Sequence, residues 1–357
     1  MKAISQKIES ISRKKMASVF FLLFLFISIE TFSQDYRVAK AYIEDFGKNE
    51  MYVKKALIDY SITIVESFLD SRSEVTSQRI VEKLENINSN INHHDKGFKG
   101  NIELRDSFLR MNTKTIESMK NGILVLNDYN AQSLLTLDEI VLNLYKREAA
   151  IVAYFDEIKA FEKTKKEFGV KFNLSVRSYN NVNVFEYSAY QNILFYKMNV
   201  LDQKLMELIN TKDEEGFTLC LAEMEKIKLQ VESKTTELKF QFKDETLNNA
   251  NIDYMLFLSN QNERIASHYN EFVDAYHVLQ TLKIQSVGIQ ETNETILEYN
   301  KAVRLYNYKK NLFYMILEEI QKDKKRLYNE WFKVNAEFLK NNIEFENIHN
   351  SFVTNDD

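Results

Sequence analysis

No proline occurs anywhere in this chain of 357 residues, where average usage would supply about 18. Proline starts tight turns, breaks edge strands and ends helices early. Without it, and with only seven glycines, the chain lacks the punctuation that sandwiches, barrels and Rossmann-type sheets require. Its codon bias explains part of this, because Lys, Asn, Ile, Phe and Tyr are plentiful and all favoured by A/T-rich coding. Such bias lowers proline without removing it. Long helices are the fold left standing. At 45% hydrophobic and 28% charged residues, the chain is too apolar to be disordered and long enough for one large core or two smaller ones.

The N-terminus reads as an export signal. Lys2, Lys7, Arg13, Lys14 and Lys15 precede an uncharged apolar run from Met16 to Ile29. Thr31-Phe32-Ser33 then places small residues before Gln34, as a cleavage site does. The run is too short to be an ordinary spanning helix, which needs about 20 residues. Residues 1–33 are thus expected to be a signal peptide, with a retained N-terminal anchor as the alternative; their removal, with five basic and two acidic groups, takes the formal charge from −5 to −8. An acidic body argues against nucleic acid and against an anionic membrane surface as partners. Cys220 is the one cysteine, so no intrachain disulfide forms and packing alone must hold the fold.

Apolar residues recur three and four apart almost throughout, the period of a buried helix face. Val53, Leu57, Tyr60, Ile64 and Phe68 mark one helix, and Ile80, Leu84, Ile87 and Ile91 a second. Leu104, Phe108 and Met111 begin a third, and Thr136-Leu-Asp-Glu139 resembles a capping box that opens a fourth. Val170–Val184 loses this spacing and is expected to be an extended linker. The second half repeats the plan, with helices around Val200, around Met224 and around Ile265. The sharpest pattern steps by four and three from Tyr299 through Phe313, Leu317, Trp331 and Phe338 to Phe352, interrupted by Lys310, Lys324 and Asn341, residue types that set register in a seam. A continuous helix over 299–352 would be about 80 Å long at 1.5 Å per residue, spanning both halves or projecting as a stalk. The expected organisation is all-α: tandem antiparallel bundles of four-helix type at 34–169 and 185–357, with coiled-coil-like helices. Short matches between the halves, such as Asp156-Glu-Ile-Lys159 with Glu318-Glu-Ile-Gln321, suggest a diverged duplication.

The dipeptide Tyr-Asn recurs at 129, 179, 269, 299, 306 and 328. With the Phe32-Ser33-Gln34 junction and the tandem helical pattern, the chain resembles exported all-helical surface proteins of Bacteroidota and spirochaetes. That resemblance implies export and a helical fold, and it carries no site residues.

Few residues suggest chemistry. Glu346-Asn-Ile-His349 has the i, i+3 spacing of di-iron bundles, and Asp274-Ala-Tyr-His277 is an aspartate version, but no inward Glu pair completes either site. His93-His94-Asp95 sits at a glycine-containing break and reads as solvated, and Cys220 beside Phe217 reads as a buried inert thiol. The runs Lys163–Lys166 and Lys322–Arg326 read as solvated helix faces. The 44 Phe and Tyr side chains fit core packing, with Tyr179, Tyr187 and Tyr190 near the linker the least well explained. There is no P-loop, G-x-S-x-G, G-x-G-x-x-G or H-E-x-x-H. The apolar stretches Gly122–Leu126 and Asn311–Leu317 are too short for the insertion hairpin of a pore-forming toxin. No catalytic, cofactor-binding or metal-binding residue is therefore assigned. The sequence fits a non-enzymatic interaction or scaffold protein of the periplasm, cell surface or medium, its partners proteins of the cell envelope. A small-molecule or metal-binding bundle is the alternative. An interior pocket with convergent polar groups would favour binding, and a packed core with an exposed apolar strip would favour a scaffold.

Overall fold

The computed structural model describes residues 38–70, 77–122, 135–177, 183–285, 292–343 and 352–353. The signal segment, most of Asp70–Gln78, Tyr179, Gly288 and the Glu346/His349 pair lie outside them. The described residues form eight α-helices: α1 Ala39–Asp70, α2 Gln78–His94, α3 Glu103–Lys120, α4 Leu137–Lys171, α5 Val184–Thr211, α6 Glu214–Leu238, α7 Thr246–Gln285 and α8 Asn293–Asn341. Among these residues no strand forms, only the isolated bridges Phe98–Asn101 and Val176–Val353. The fold is all-α, as the missing prolines and the period of the apolar residues require.

Helix starts follow local chemistry. Thr136 and Glu139 form the expected reciprocal capping box at α4: the Glu139 N–H donates to Thr136 Oγ1 at 3.3 Å, and the Thr136 N–H donates to Glu139 Oε2 at 2.8 Å. Asn183 caps α5 by accepting from the Glu186 N–H at 2.7 Å. Between α5 and α6 the chain turns through Lys212 at φ +56°, and Asp213 caps α6 by accepting from the Gly216 N–H at 2.9 Å. The expected linker 170–184 is shorter than its pattern suggested, since α4 runs to Lys171 and α5 begins at Val184.

Helices adjacent in sequence pair, α7 with α8 most extensively, then α5 with α6 and α3 with α4. The halves are joined chiefly by α1 against α8 and α4 against α5, with a smaller contact of α4 against α6. Buried apolar side chains form a single cluster running from Tyr42 on α1 to Leu339 on α8. Phe195 and Trp331 stack at its centre, their rings 3.8 Å apart and inclined by 6°.

The terminal helix corrects the sequence reading. Rather than running to residue 352, α8 stops at Asn341, where the Asn342 N–H and side-chain amide both donate to the Phe338 carbonyl. Short polar side chains compete with the helical ladder in this way, and two successive asparagines supply them. Phe352 is buried, but against α1 instead of along an α8 seam. Within α8 the predicted seam holds at Phe313, Leu317, Ile320, Trp331 and Phe338, all buried. Tyr299 is exposed, because among the described residues only α7 accompanies α8 there: the α5–α6 turn meets α7 at Tyr276 and His277, through Lys212 and Glu214.

Candidate functional site

The interior polar groups are the natural place to look for a site, because burying them costs free energy unless they find partners. In the C-terminal half they find one another. Gln191 on α5 donates to Asn248 Oδ1 at 2.7 Å, and Asn248 donates to the Thr235 carbonyl at 3.2 Å. Asn251 donates to both the carbonyl and the side-chain oxygen of Gln191, while its own oxygen accepts from Trp331 Nε1 at 2.8 Å. Four helices are thereby fixed in register by a closed network.

Buried charges behave the same way. Lys197, fully buried on α5, donates to Glu148 Oε2 at 2.7 Å and to Gln230 Oε1 at 2.8 Å. Burial pulls its ammonium below the ordinary lysine value and Glu148 counters. Lys324 reaches Asp202 at 2.7 Å. Lys165 corrects the reading of Lys163–Lys166 as solvated: its side chain is 1% exposed and lies 3.2 Å from Glu50 and 2.7 Å from Glu162. Burial alone would raise the Glu50 carboxyl, yet Lys165 and Lys54 override it and hold it at about 2. The helix turns Lys165 inward between two carboxylates, while Lys163 is exposed and Lys166 half-buried.

The residues singled out from sequence do not converge. His93 and His94 are exposed in the last turn of α2, where their Nδ1 atoms lie 2.7 Å and 3.1 Å from the carbonyls of Ser89 and Asn90. Asp95 turns inward instead, accepting from Tyr42 Oη at 3.0 Å and from the Gly97 N–H at 2.7 Å. His277 Nε2 lies 2.6 Å from Glu214 Oε1, and no third ligand joins them. Cys220 is buried, with Sγ 3.4 Å from the Leu201 carbonyl and the thiol pushed up to about 12 by burial, so the nucleophilic thiolate is suppressed. Tyr187 is core, its ring against Phe242 and Phe338, and burial pushes its hydroxyl up to about 12. No group of three His, Cys, Asp or Glu residues is arranged to hold a metal among the described residues.

Two surface grooves and one helix face remain. A groove of about 350 Å³ between α5, α6 and α7 has Met198, Met224 and Met255 among its walls and Glu225, Lys228 and Asn262 among its polar lining. Another of about 340 Å³ between α4, α5 and α6 contains the half-buried Tyr190 beside Glu186, Glu237 and Lys159. The exposed face lies on α8, where Leu305, Tyr308 and Met315 are 46%, 63% and 61% exposed. Sequence reasoning missed that face because the stronger buried seam occupies the same residues' neighbours. No protein-family model matches the chain, and neither a curated protein nor a solved structure matches it.

Proposed function

We propose that the chain is an exported, non-enzymatic interaction or scaffold protein of the cell envelope that docks partners along its helix faces. The observation that carries this reading is the pairing of a closed Gln191–Asn248–Asn251–Trp331 network in the core with an apolar strip left exposed on α8. Among the described residues no helix is long and apolar enough to cross a membrane, so the described helices do not themselves anchor it. Export rests on the basic, apolar and small-residue order of residues 1–33.

Two measurements test the proposal. N-terminal sequencing of chain recovered from the envelope fraction should begin at Gln34; recovery only from cytosol, with Met1 retained, overturns export. A photo-cross-linker at Tyr308 in the native cell should trap a protein, and Met315→Asp should abolish the product. Absence of any cross-link overturns docking on this face. The methionine-lined groove favours a second reading, binding of a small apolar ligand. Saturable binding of an apolar fluorescent probe that Met224→Trp abolishes would support it, and binding that survives the substitution would exclude this groove.

A further inference from the structure

The exposed strip on α8 belongs to a second three-four repeat, laid on a flank about a third of a turn around the helix from the buried seam. Its middle is Leu305, Tyr308, Leu312 and Met315, spaced three, four and three; Leu312 is half-buried and the other three are exposed. The same stepping continues outward without a break, but the residues become charged. Toward the N-terminus come Lys301, Glu298 and Glu294, and toward the C-terminus Glu319, Lys322 and Arg326, all exposed. Both faces of one helix thus carry a coiled-coil repeat; the seam is buried, while among the described residues the second is covered only in part, at Leu312 and where Glu319 meets Arg264 of α7.

The order of charges identifies what fits the other. Turning a second copy of the helix end for end about a two-fold axis level with Lys310 sets Leu305 against Met315 and Tyr308 against Leu312. The charged layers then fall Lys301 on Glu319, Glu298 on Lys322 and Glu294 on Arg326. Every charged layer pairs opposite signs, and each occurs twice by symmetry. A parallel, in-register pair would instead stack each charge on its own copy. The present contacts of these groups are surface pairs on α7 and α8, Glu319 with Arg264, Lys322 with Glu318, and Arg326 with Asp323 and Glu330, all exposed enough to exchange at little cost.

We infer that the α8 outer face, from Glu294 to Arg326, is the interface for a second copy of this chain in an antiparallel two-fold dimer. The paired segment is about 48 Å long at 1.5 Å per residue. With an apolar centre of only three turns flanked by exposed ion pairs, the dimer is expected to weaken with rising salt. This deepens the interaction reading by naming the partner, and it rests on that reading only in taking the α8 face as a docking surface.

Sedimentation equilibrium of the full chain tests it. A mass near twice that of the chain is expected. Glu298→Lys and Lys322→Glu should each weaken dimerisation about tenfold by opposing like charges in two symmetric layers, and the double variant should restore it. Neither residue is buried, so far-UV circular dichroism, and melting at concentrations where each chain is monomeric, should stay unchanged in all three. Geometry has its own readout: Leu305→Cys mixed with Met315→Cys should form an interchain disulfide that neither forms alone, the buried Cys220 taking no part. A chain that stays monomeric, single reversals without effect, or a double variant carrying both losses would each overturn the dimer. A monomer whose Tyr308 cross-links still vanish with Met315→Asp would overturn self-pairing and leave the interaction reading standing.

Discussion

Lys165 is the residue whose environment departs furthest from its neighbours'. Its ammonium sits among Glu50, Glu162 and the ring of Phe352, 3.9 Å from the ring centroid. Burying an ion costs several kcal/mol, and that cost is offset only while the partners remain. Lys165→Met should therefore destabilise the fold by about 3 kcal/mol, since Glu50 would keep only Lys54. Denaturant unfolding checks the size. The pH dependence follows from Glu50. A folded value of about 2, lowered from 4.5, contributes stability that is present above pH 4.5 and lost as the pH falls toward 2. Glu162 acts in the opposite sense, raised by burial and then by Glu50, and softens that fall. The wild-type unfolding free energy should decline between those limits, and the decline should flatten in Lys165→Met; parallel acid profiles would contradict the assignment. None of this could be read from Lys163–Lys166, because the residue that draws Lys165 inward stands 115 positions away.

At the scale of helices, local chemistry decides signs that propensity would get wrong. Gly216 lies in the first turn of α6, where alanine is ordinarily better than glycine by about 1 kcal/mol. A Cβ there would come within 2.5 Å of Asp213 Oδ2 and 2.7 Å of Leu208 Cδ2, displacing the carboxylate that caps the helix. Gly216→Ala should thus destabilise, by about 1 kcal/mol, through loss of the cap; a gain in melting temperature would refute the argument. On α8 the two faces predict opposite responses. Leu317→Asp places a charge in the buried seam and should cost at least about 3 kcal/mol, whereas Tyr308→Asp on the outer face should leave the melt of the monomer within about 0.5 kcal/mol. These elements were legible beforehand because helix faces are written in short-range periodicity. The α4 capping box, the α8 seam and the inert Cys220 all depend on residues within one or two turns. The end of α8 was not legible, since residues beyond Asn341 keep the same spacing and the helix ends where the Asn342 side-chain amide donates to the Phe338 carbonyl.

The largest scale is set by the chain's return to its own beginning. Phe352 and Val353 lie against α1, and their N–H groups donate to the two carboxylate oxygens of Glu44 at 3.1 and 2.9 Å. The Arg177 N–H donates to the Phe352 carbonyl at 2.8 Å, which ties the chain between α4 and α5 into the same contact. The ring rests on Gly47, where a Cβ would come within 3.2 Å of it, so a larger residue there would force the ring away. Its other neighbour is the Lys165 ammonium, so the terminal strap also caps the buried ion cluster. Phe352→Ala removes apolar burial and a cation–π contact together, and it admits water to Lys165 and Glu50. A loss of about 3 kcal/mol is expected, within the range for a buried Phe→Ala change and its added electrostatic part. Because the contacts of Phe352 and Val353 fall on α1, on Lys165 of α4 and on Arg177, the loss should be local. Amide exchange should accelerate around residues 42–50 and 161–168, while the stacked Phe195–Trp331 region keeps its protection. Uniform acceleration along the chain would mean that the two halves unfold as one unit, with the strap one of the contacts that make them so.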